Sequence, residues 1–191
     1  MSLVIAFVGE NGAVMAGDRR SVFFLGNDAS VERLERELYS GRIVADEDLH
    51  RRSDAIGIRL FVYDDRCKVA LRNGVLVGEV TSSEGGKVRK RRVYAAAGRY
   101  VIAEFEAGEG TVTQQGEGSV FVVFGSEIAK KITDAVIQAH WKRGGLAQAV
   151  AVIRRAMEKA GRETASVSRE CDLLQTTERA DIDALLAEDL G

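Results

Sequence analysis

The stretch that decides the fold is residues 1–20, MSLVIAFVGENGAVMAGDRR. Its apolar run at residues 3–8 is too short for a helix and rich in β-branched side chains, which predicts a strand buried on both faces. The pair Asn11-Gly12 is a strong hairpin signal, and a second apolar strand returns over residues 13–17. The segment therefore predicts a buried β-hairpin whose second strand ends at Asp18.

This hairpin is suited to carry an enzyme nucleophile, because Ser2 stands directly behind the initiator methionine. If Met1 is removed, Ser2 has both a hydroxyl and its own α-amine. That amine titrates close to neutral pH and can act as the base for the hydroxyl. Strand pairing across the turn should bring Asp18 near Ser2, where a carboxylate can orient an ammonium group and tune its pKa.

A third component is expected at Gly125, which follows the apolar run SVFVVF and precedes a helix that opens at Ser126. Backbone N–H groups at a helix start have no partner inside the helix, so they can hold an oxyanion. Simpler interpretations stand beside these. Serine at position two is common because it lets methionine be trimmed, a terminal Asp-Arg-Arg can be a solvated strand end, and a strand–glycine–helix connection is ordinary.

Composition sets the broad class of the chain. Its 191 residues, 46% of them hydrophobic and with a net charge of −2, indicate one domain or a domain with a short appendage, without a general attraction to nucleic acid or membrane. The two cysteines and two histidines lie far apart in sequence, so we expect no disulfide framework, no metal site and no cofactor. The N-terminus resembles neither a signal peptide nor a membrane span, which favours a cytoplasmic location.

Hydrophobic periodicity predicts the remaining elements. In order, they are two short charged helices in an insertion near residues 30–56, several strands between 58 and 124, amphipathic helices from Ser126 and from Leu146, and a weak acidic helix at 179–190. Ser30 is the expected N-cap of the first helix, and Gly161 the expected end of the helix from Leu146. This succession predicts an α+β protein.

The opening residues resemble the start of proteasome β-subunits and their bacterial relatives, which begin with a threonine nucleophile. With Ser2 at the nucleophile, Asp18 and Arg20 fall on the acidic and arginine positions of that pattern without a gap. Residues 120–142 resemble the strand–glycine–helix segment whose glycine amide contributes to the oxyanion hole, which points to Gly125. The resemblance implies a proteasome-like N-terminal-nucleophile sandwich of αββα type that lacks its usual second half.

A closer resemblance is to Connectase, a proteasome homologue of methanogenic archaea. The chain shares the opening MxLVIAFxGxNGAVMAGDxR, the insertion ERLERELYSGRI, the segments DDRxKV and VLVGEV, and the strand KRRxYA. The resemblance covers roughly residues 2–165. It implies an enzyme that cleaves and re-forms peptide bonds through an acyl-enzyme. It also implies recognition of a Lys-Asp-Pro-Gly-Ala type sequence in a subunit of the methyl-tetrahydromethanopterin methyltransferase.

The resemblance to proteasome-type sites also implies a lysine paired with the acidic residue. Lys68 is the best match because a lysine that opens a strand is the pattern of that family, and Lys87 and Lys90 are alternatives. Gly78, in VLVGEV, competes with Gly125 for the oxyanion role. We prefer Gly125 because a long amphipathic helix follows it directly.

Two departures from the family pattern concern the nucleophile and the end of the chain. The nucleophile is serine rather than threonine, which loosens rotamer control but leaves the chemistry unchanged. Connectase carries an additional C-terminal domain, and this chain ends near where that domain would begin. We therefore expect a proteasome-like domain at residues 1–165 and a tail, or the start of a second domain, at 166–191. Ser166 and Ser168 are weak candidates for the residues that support the α-amine.

Other function classes remain open at this stage. A catalytically inactive peptide-binding or scaffold protein of the same fold is the main alternative, and removal of Met1 decides between the two. The basic residues 87–92 suit RNA or an acidic partner, although an exposed basic hairpin is the simpler interpretation. We interpret Asp64-Asp65 as a turn. The oligomeric state is left open, since the helices near residues 30–56 could block ring contacts.

Overall fold

The computed structural model describes residues 3–84 and 87–190 and contains two stacked β-sheets, a two-stranded ribbon and helices on both outer faces. The strands are β1 (Val4–Gly9), β2 (Gly12–Asp18), β3 (Ser21–Leu25), β4 (Arg59–Tyr63), β5 (Val69–Arg72), β6 (Val75–Glu84), β7 (Lys87–Ala96), β8 (Arg99–Glu106), β9 (Glu109–Glu117), β10 (Val120–Phe124) and β11 (Cys171–Thr176). The helices are α1 (Asp28–Tyr39), α2 (Asp46–Ala55), α3 (Glu127–His140), α4 (Leu146–Glu163) and α5 (Ile182–Leu190). Among the described residues, no helix has the length and apolar character needed to cross a membrane.

The predicted hairpin forms the centre of the first sheet, whose strand order is β10-β1-β2-β11. Both strands of the hairpin are buried along their whole length. Alternate side chains of β1 point to opposite faces: Ile5 and Phe7 pack against α3 and α4, and Val4, Ala6 and Val8 pack against the second sheet. Burial on both faces explains why these strands are continuously apolar.

The second sheet has the order β5-β6-β7-β8-β9, and all its strands are antiparallel. One face packs on the hairpin, and the other face is covered by α5 through Ile182, Leu185 and Leu186. The layers therefore run helix, sheet, sheet, helix. This arrangement confirms the predicted α+β sandwich of αββα type.

The helical insertion packs over the inner face of the β3–β4 ribbon. Glu37 on α1 and Arg52 on α2 form a two-pronged ion pair, with Nε to Oε2 at 2.6 Å and Nη2 to Oε1 at 2.7 Å. The predicted N-cap at Ser30 is wrong. Asn27 caps α1 instead, because its side-chain oxygen accepts from the Ser30 N–H at 2.9 Å.

The predicted end of α4 at Gly161 is also wrong, since the helix continues to Glu163. Instead, Gly161 allows a close backbone contact with the segment that follows the helix. A Cβ at this position would lie 2.7 Å from the backbone oxygen of Ser168. The missing side chain therefore lets the segment after α4 lie directly against the helix.

Two elements follow the boundary that the sequence placed near residue 165. β11 pairs with β2 from Cys171 opposite Asp18 to Thr176 opposite Ala13. This strand lies in the segment for which the sequence predicted a tail or the start of a second domain. The weak acidic helix was anticipated, and it forms α5 from Ile182.

The packing around Gly78 generates a prediction. Gly78 lies in β6, and a side chain at this position would point toward the hairpin. A Cβ there would lie 2.6 Å from Met15 Sδ and 2.8 Å from Val4 Cγ1. We expect Gly78→Ala to lower the free energy of unfolding by about 1–3 kcal/mol through overpacking. Combined with Met15→Ala, which vacates that space, the loss should be smaller than the sum of the two single losses. Chemical denaturation measures both, and a Gly78→Ala protein as stable as the parent would contradict the packing.

Candidate active site

Asp18, the last residue of β2, is fully buried and accepts hydrogen bonds on both carboxylate oxygens. Oδ1 accepts from the Leu3 N–H and from Lys68 Nζ, each at 2.7 Å. Oδ2 accepts from the N–H of Arg20 at 2.9 Å and from that of Ser168 at 3.4 Å. A buried carboxylate needs such partners, because an unpaired charge in the interior is very costly.

Lys68 is the cation of this pair, and its side chain is almost completely buried. Its ammonium group donates to Asp18 and to the backbone oxygen of Arg20, both at 2.7 Å. Burial lowers the pKa of Lys68 below its ordinary value, while the negative charge of Asp18 opposes that shift. A lysine has three ammonium donors, and two of Lys68's are used within the described part of the chain.

Gly17 makes the approach of Lys68 to Asp18 sterically feasible. A Cβ at Gly17 would lie 3.0 Å from Val69 Cγ1 and 3.1 Å from Lys68 Cβ. The backbone of Lys68 is anchored from the other side, because its oxygen accepts from the Glu79 N–H at 2.9 Å. The lysine is thus held between the end of β2 and the second sheet.

The loop between α4 and β11 supports the carboxylate from behind. Ser168 donates its N–H to Asp18, accepts from the Arg19 N–H at 2.7 Å, and donates its hydroxyl to the Glu170 oxygen at 2.6 Å. Ser166 is buried as well, but its hydroxyl lies 2.9 Å from that of Thr164. The structure therefore brings Ser168, and not Ser166, against Asp18.

Arg20 links the site to the helical insertion. Its guanidinium is nearly buried and forms paired hydrogen bonds with Asp64, at 2.9 and 2.8 Å, and with Asp46 at the start of α2. A further bond of 2.8 Å reaches the Ala165 oxygen. The Asp64 and Asp46 carboxylates raise the pKa of Arg20, and Arg20 in turn lowers the pKa of Asp64. Sequence reasoning placed Asp64 in a turn and missed this contact, which spans 44 residues.

Gly125 lies immediately after β10, beside the N-terminal end of β1. The pairing of these strands ends at Val4 opposite Phe124. The residues just beyond this last pair are Leu3 before β1 and Gly125 after β10. Ser126 caps α3 by accepting from the Ala129 N–H at 3.4 Å. Gly78 instead lies inside the second sheet, paired with Val69 and Val93. Ser2, the expected nucleophile, lies outside the described residues.

The alternative lysines, Lys87 and Lys90, lie in β7. Basic side chains of this strand lie close to carboxylates on the neighbouring elements. Lys90 is 3.8 Å from Glu79, and Arg92 contacts both Glu79 and Asp189. Arg89 and Arg91 pair with Glu106 and Glu104. The Lys87 side chain lies outside the described part of the structure. The positive charge of this strand is therefore largely matched by acidic residues from β6, β8 and α5.

The turn that follows α1 contacts the start of α3, which the sequence did not reveal. A Cβ at Gly41 would lie 2.5 Å from Ile128 Cγ1, so this turn lies directly against the first turn of α3. Burial, together with the negative charges of Glu35 and Asp18, raises the pKa of Tyr39. Within residues 3–84 and 87–190, no group of three or more His, Cys, Asp or Glu side chains is arranged to hold a metal ion.

The Arg20 contacts generate a pH-dependent prediction. We expect Asp64→Asn to lower the free energy of unfolding at pH 7 by about 1 kcal/mol, a modest loss because solvent screens a half-exposed carboxylate. Since the pKa of Asp64 is lowered in the fold, its stabilisation is present above about pH 4 and is lost as the pH falls through the folded-state pKa. The two proteins should therefore converge in acid.

Asp65→Asn is the matched control, since Asp65 is exposed and makes no ion pair with another described side chain. It should leave the denaturation midpoint unchanged at every pH. Equal stability of the Asp64→Asn and parent proteins at pH 7 would refute a stabilising role of the contact.

Comparison with solved structures finds similar proteins at low sequence identity. The structure is similar to Anbu (ancestral β-subunit) from Yersinia bercovieri, with 12% identity, a TM-score of 0.44, and 92% of this chain and 81% of that chain covered. It is also similar to Anbu from the helical assembly of the Anbu complex of Pseudomonas aeruginosa, with 13% identity and a TM-score of 0.44. That match covers 97% of this chain and 90% of the Pseudomonas chain. Eukaryotic HslV from Trypanosoma brucei is similar with 13% identity and a TM-score of 0.41. That match covers 92% of this chain and 99% of the HslV chain.

No curated protein matches the sequence significantly. The family model described as "Connectase MJ0548-like, N-terminal domain" matches residues 1–190. Because this match spans nearly the whole chain, the protein belongs to the family of Connectase N-terminal domains.

Proposed function

We propose that this protein is an N-terminal-nucleophile acyltransferase that breaks and re-forms peptide bonds, with Ser2 as its nucleophile once Met1 has been removed. The observation that carries the proposal is the Leu3 N–H donating to Asp18 Oδ1, the same oxygen that accepts from Lys68. Leu3 is bonded directly to Ser2. A buried, charged Asp–Lys pair is therefore fixed one residue away from the proposed nucleophile.

The pair supplies the electrostatic conditions that such a nucleophile needs. An ammonium group close to the Ser2 α-amine would lower the pKa of that amine, because two like charges disfavour each other. More of the amine is then neutral near pH 7, when it can take the proton of the Ser2 hydroxyl. Asp18 holds Lys68 in place and balances its charge in the interior.

The proposed reaction begins when the Ser2 oxygen bonds to the peptide carbonyl carbon as the α-amine accepts the hydroxyl proton. The Gly125 N–H stabilises the oxyanion, and the ammonium then gives the proton to the leaving nitrogen as the C–N bond breaks. An ester remains on Ser2. An incoming amine attacks it, restores the hydroxyl and forms a new peptide bond, while water in its place gives hydrolysis.

Ligation rather than hydrolysis requires that water be kept away from the ester on Ser2 while an incoming amine reaches it. We further propose a cytoplasmic enzyme whose substrate is a protein with a Lys-Asp-Pro-Gly-Ala type sequence, such as a methyltransferase subunit.

A peptide-exchange assay tests the proposal. Protein shown by intact mass to lack Met1 is incubated with a peptide that carries the Lys-Asp-Pro-Gly-Ala sequence and with a second peptide that offers a free amine. We expect a recombined peptide to appear in the mass spectrum. Ser2→Ala should abolish it because no hydroxyl remains, while Ser2→Thr should retain it.

Two controls separate a dead site from a misfolded protein. The same chain with Met1 retained should be inactive but equally stable, because its amine is locked in a peptide bond. The Ser2→Ala protein should keep the parent denaturation midpoint. Processed parent protein that gives neither exchange nor hydrolysis would contradict the proposal and favour an inactive peptide-binding protein of the same fold.

A further inference from the structure

The β3–β4 ribbon has one half-buried and one exposed face, and both faces carry large apolar side chains; Ser21 and Arg59 share the exposed face. The inner face consists of Val22, Phe24, Leu60 and Val62, which pack on the core beneath the insertion. The outer face carries Phe23 and Phe61, directly opposite each other, with Leu25 and Tyr63 beside them. We call these four side chains the ribbon patch. A strand pair with only one face to bury needs no apolar residues on the other.

The ribbon patch is exposed to an unusual degree for such large side chains. The exposed fractions are 55% for Phe23, 60% for Leu25, 43% for Phe61 and 49% for Tyr63. The rings of Phe23 and Tyr63 meet edge to face at 6.1 Å. Contiguous exposed apolar residues of this kind mark interaction sites, whereas scattered ones need no explanation.

The patch is continuous with the candidate active site. β3 begins at Ser21, directly after Arg20, whose N–H donates to Asp18. β4 ends at Tyr63, directly before Asp64, which holds the Arg20 guanidinium. Ser21 and Tyr63 are the last pair of the ribbon at that end. The ribbon patch therefore begins next to the candidate active site and extends away from it.

The size of the ribbon selects the kind of partner. Two strands of five residues form a surface of about 17 by 10 Å, far below the roughly 800 Å² per partner that a stable protein–protein interface takes. That surface fits an extended segment of five or six residues.

We propose that the ribbon patch is a docking track for an extended substrate segment flanking the reacting bond, with apolar side chains at alternate positions. The inference rests on the proposed function and adds a substrate class to it. Alternate side chains of a strand point to one side, so two or three of them meet Phe23, Phe61 and Tyr63. The track adds affinity for long substrates and leaves the chemistry unchanged.

Binding and turnover are measured separately to test this. The probes are the motif peptide alone, and the motif peptide extended on either side by Val-Ser-Phe-Ser-Leu-Ser or by a Gly-Ser repeat. In the Ser2→Ala background, fluorescence anisotropy should show about tenfold tighter binding of one apolar extension, a gain of about 1.4 kcal/mol. Phe23→Ser with Phe61→Ser should remove that gain. The same double change with Ser2 intact should leave turnover of the bare motif peptide unchanged.

Leu71→Ser with Val88→Ser is the matched control, since both residues are about as exposed but lie on the second sheet, in β5 and β7. This control should keep the tenfold preference. Equal binding of apolar and Gly-Ser extensions would overturn the track. A dimer in sedimentation that Phe23→Ser with Phe61→Ser dissociates would also overturn it, because a second copy would then cover the face. Absence of exchange with every peptide would count against the proposed reaction, while anisotropy still reports on the track.

Discussion

The buried ion pair between Asp18 and Lys68 is the constraint on which the rest of the molecule depends. A carboxylate at zero exposure must be paired and hydrogen-bonded, and here it receives four donors from separate parts of the chain. They come from the residues directly before β1, β3 and β5 and from the loop after α4. Satisfying one charge therefore fixes the relative positions of both sheets and of the segment that enters β1 at Leu3.

The same region connects the site to its surroundings. Arg20, two residues beyond Asp18, reaches the first turn of α2 through Asp46 and the segment before Lys68 through Asp64. A single guanidinium thus couples the insertion to the strand that supplies the lysine. Because the ribbon begins and ends at these residues, the geometry of the site and the orientation of the ribbon patch are set together.

Local signals in the sequence account for the parts that were predicted. The hairpin follows from the apolar runs and from Asn11-Gly12, and the placement of Asp18 at its end follows from simple strand pairing. The α+β class follows from the succession of strands and amphipathic helices, whereas the αββα layering was implied only by the resemblance to proteasome subunits. Lys68 was predicted only through the resemblance to proteasome-type sites, because no local pattern indicates a partner 50 residues away.

The missed features depend on contacts that the sequence does not encode locally. From its sequence context Asp64 is predicted to lie in a turn, and only the fold brings Arg20 into contact with it. Likewise, Ser168 reaches Asp18 only because the segment after α4 lies against Gly161.

The claim that Ser2 carries an acyl group is tested most directly by mass spectrometry of the N-terminal fragment after brief incubation with the motif peptide. The account predicts a hydroxylamine-sensitive ester on Ser2; turnover without that adduct, or an adduct on another residue, would contradict it.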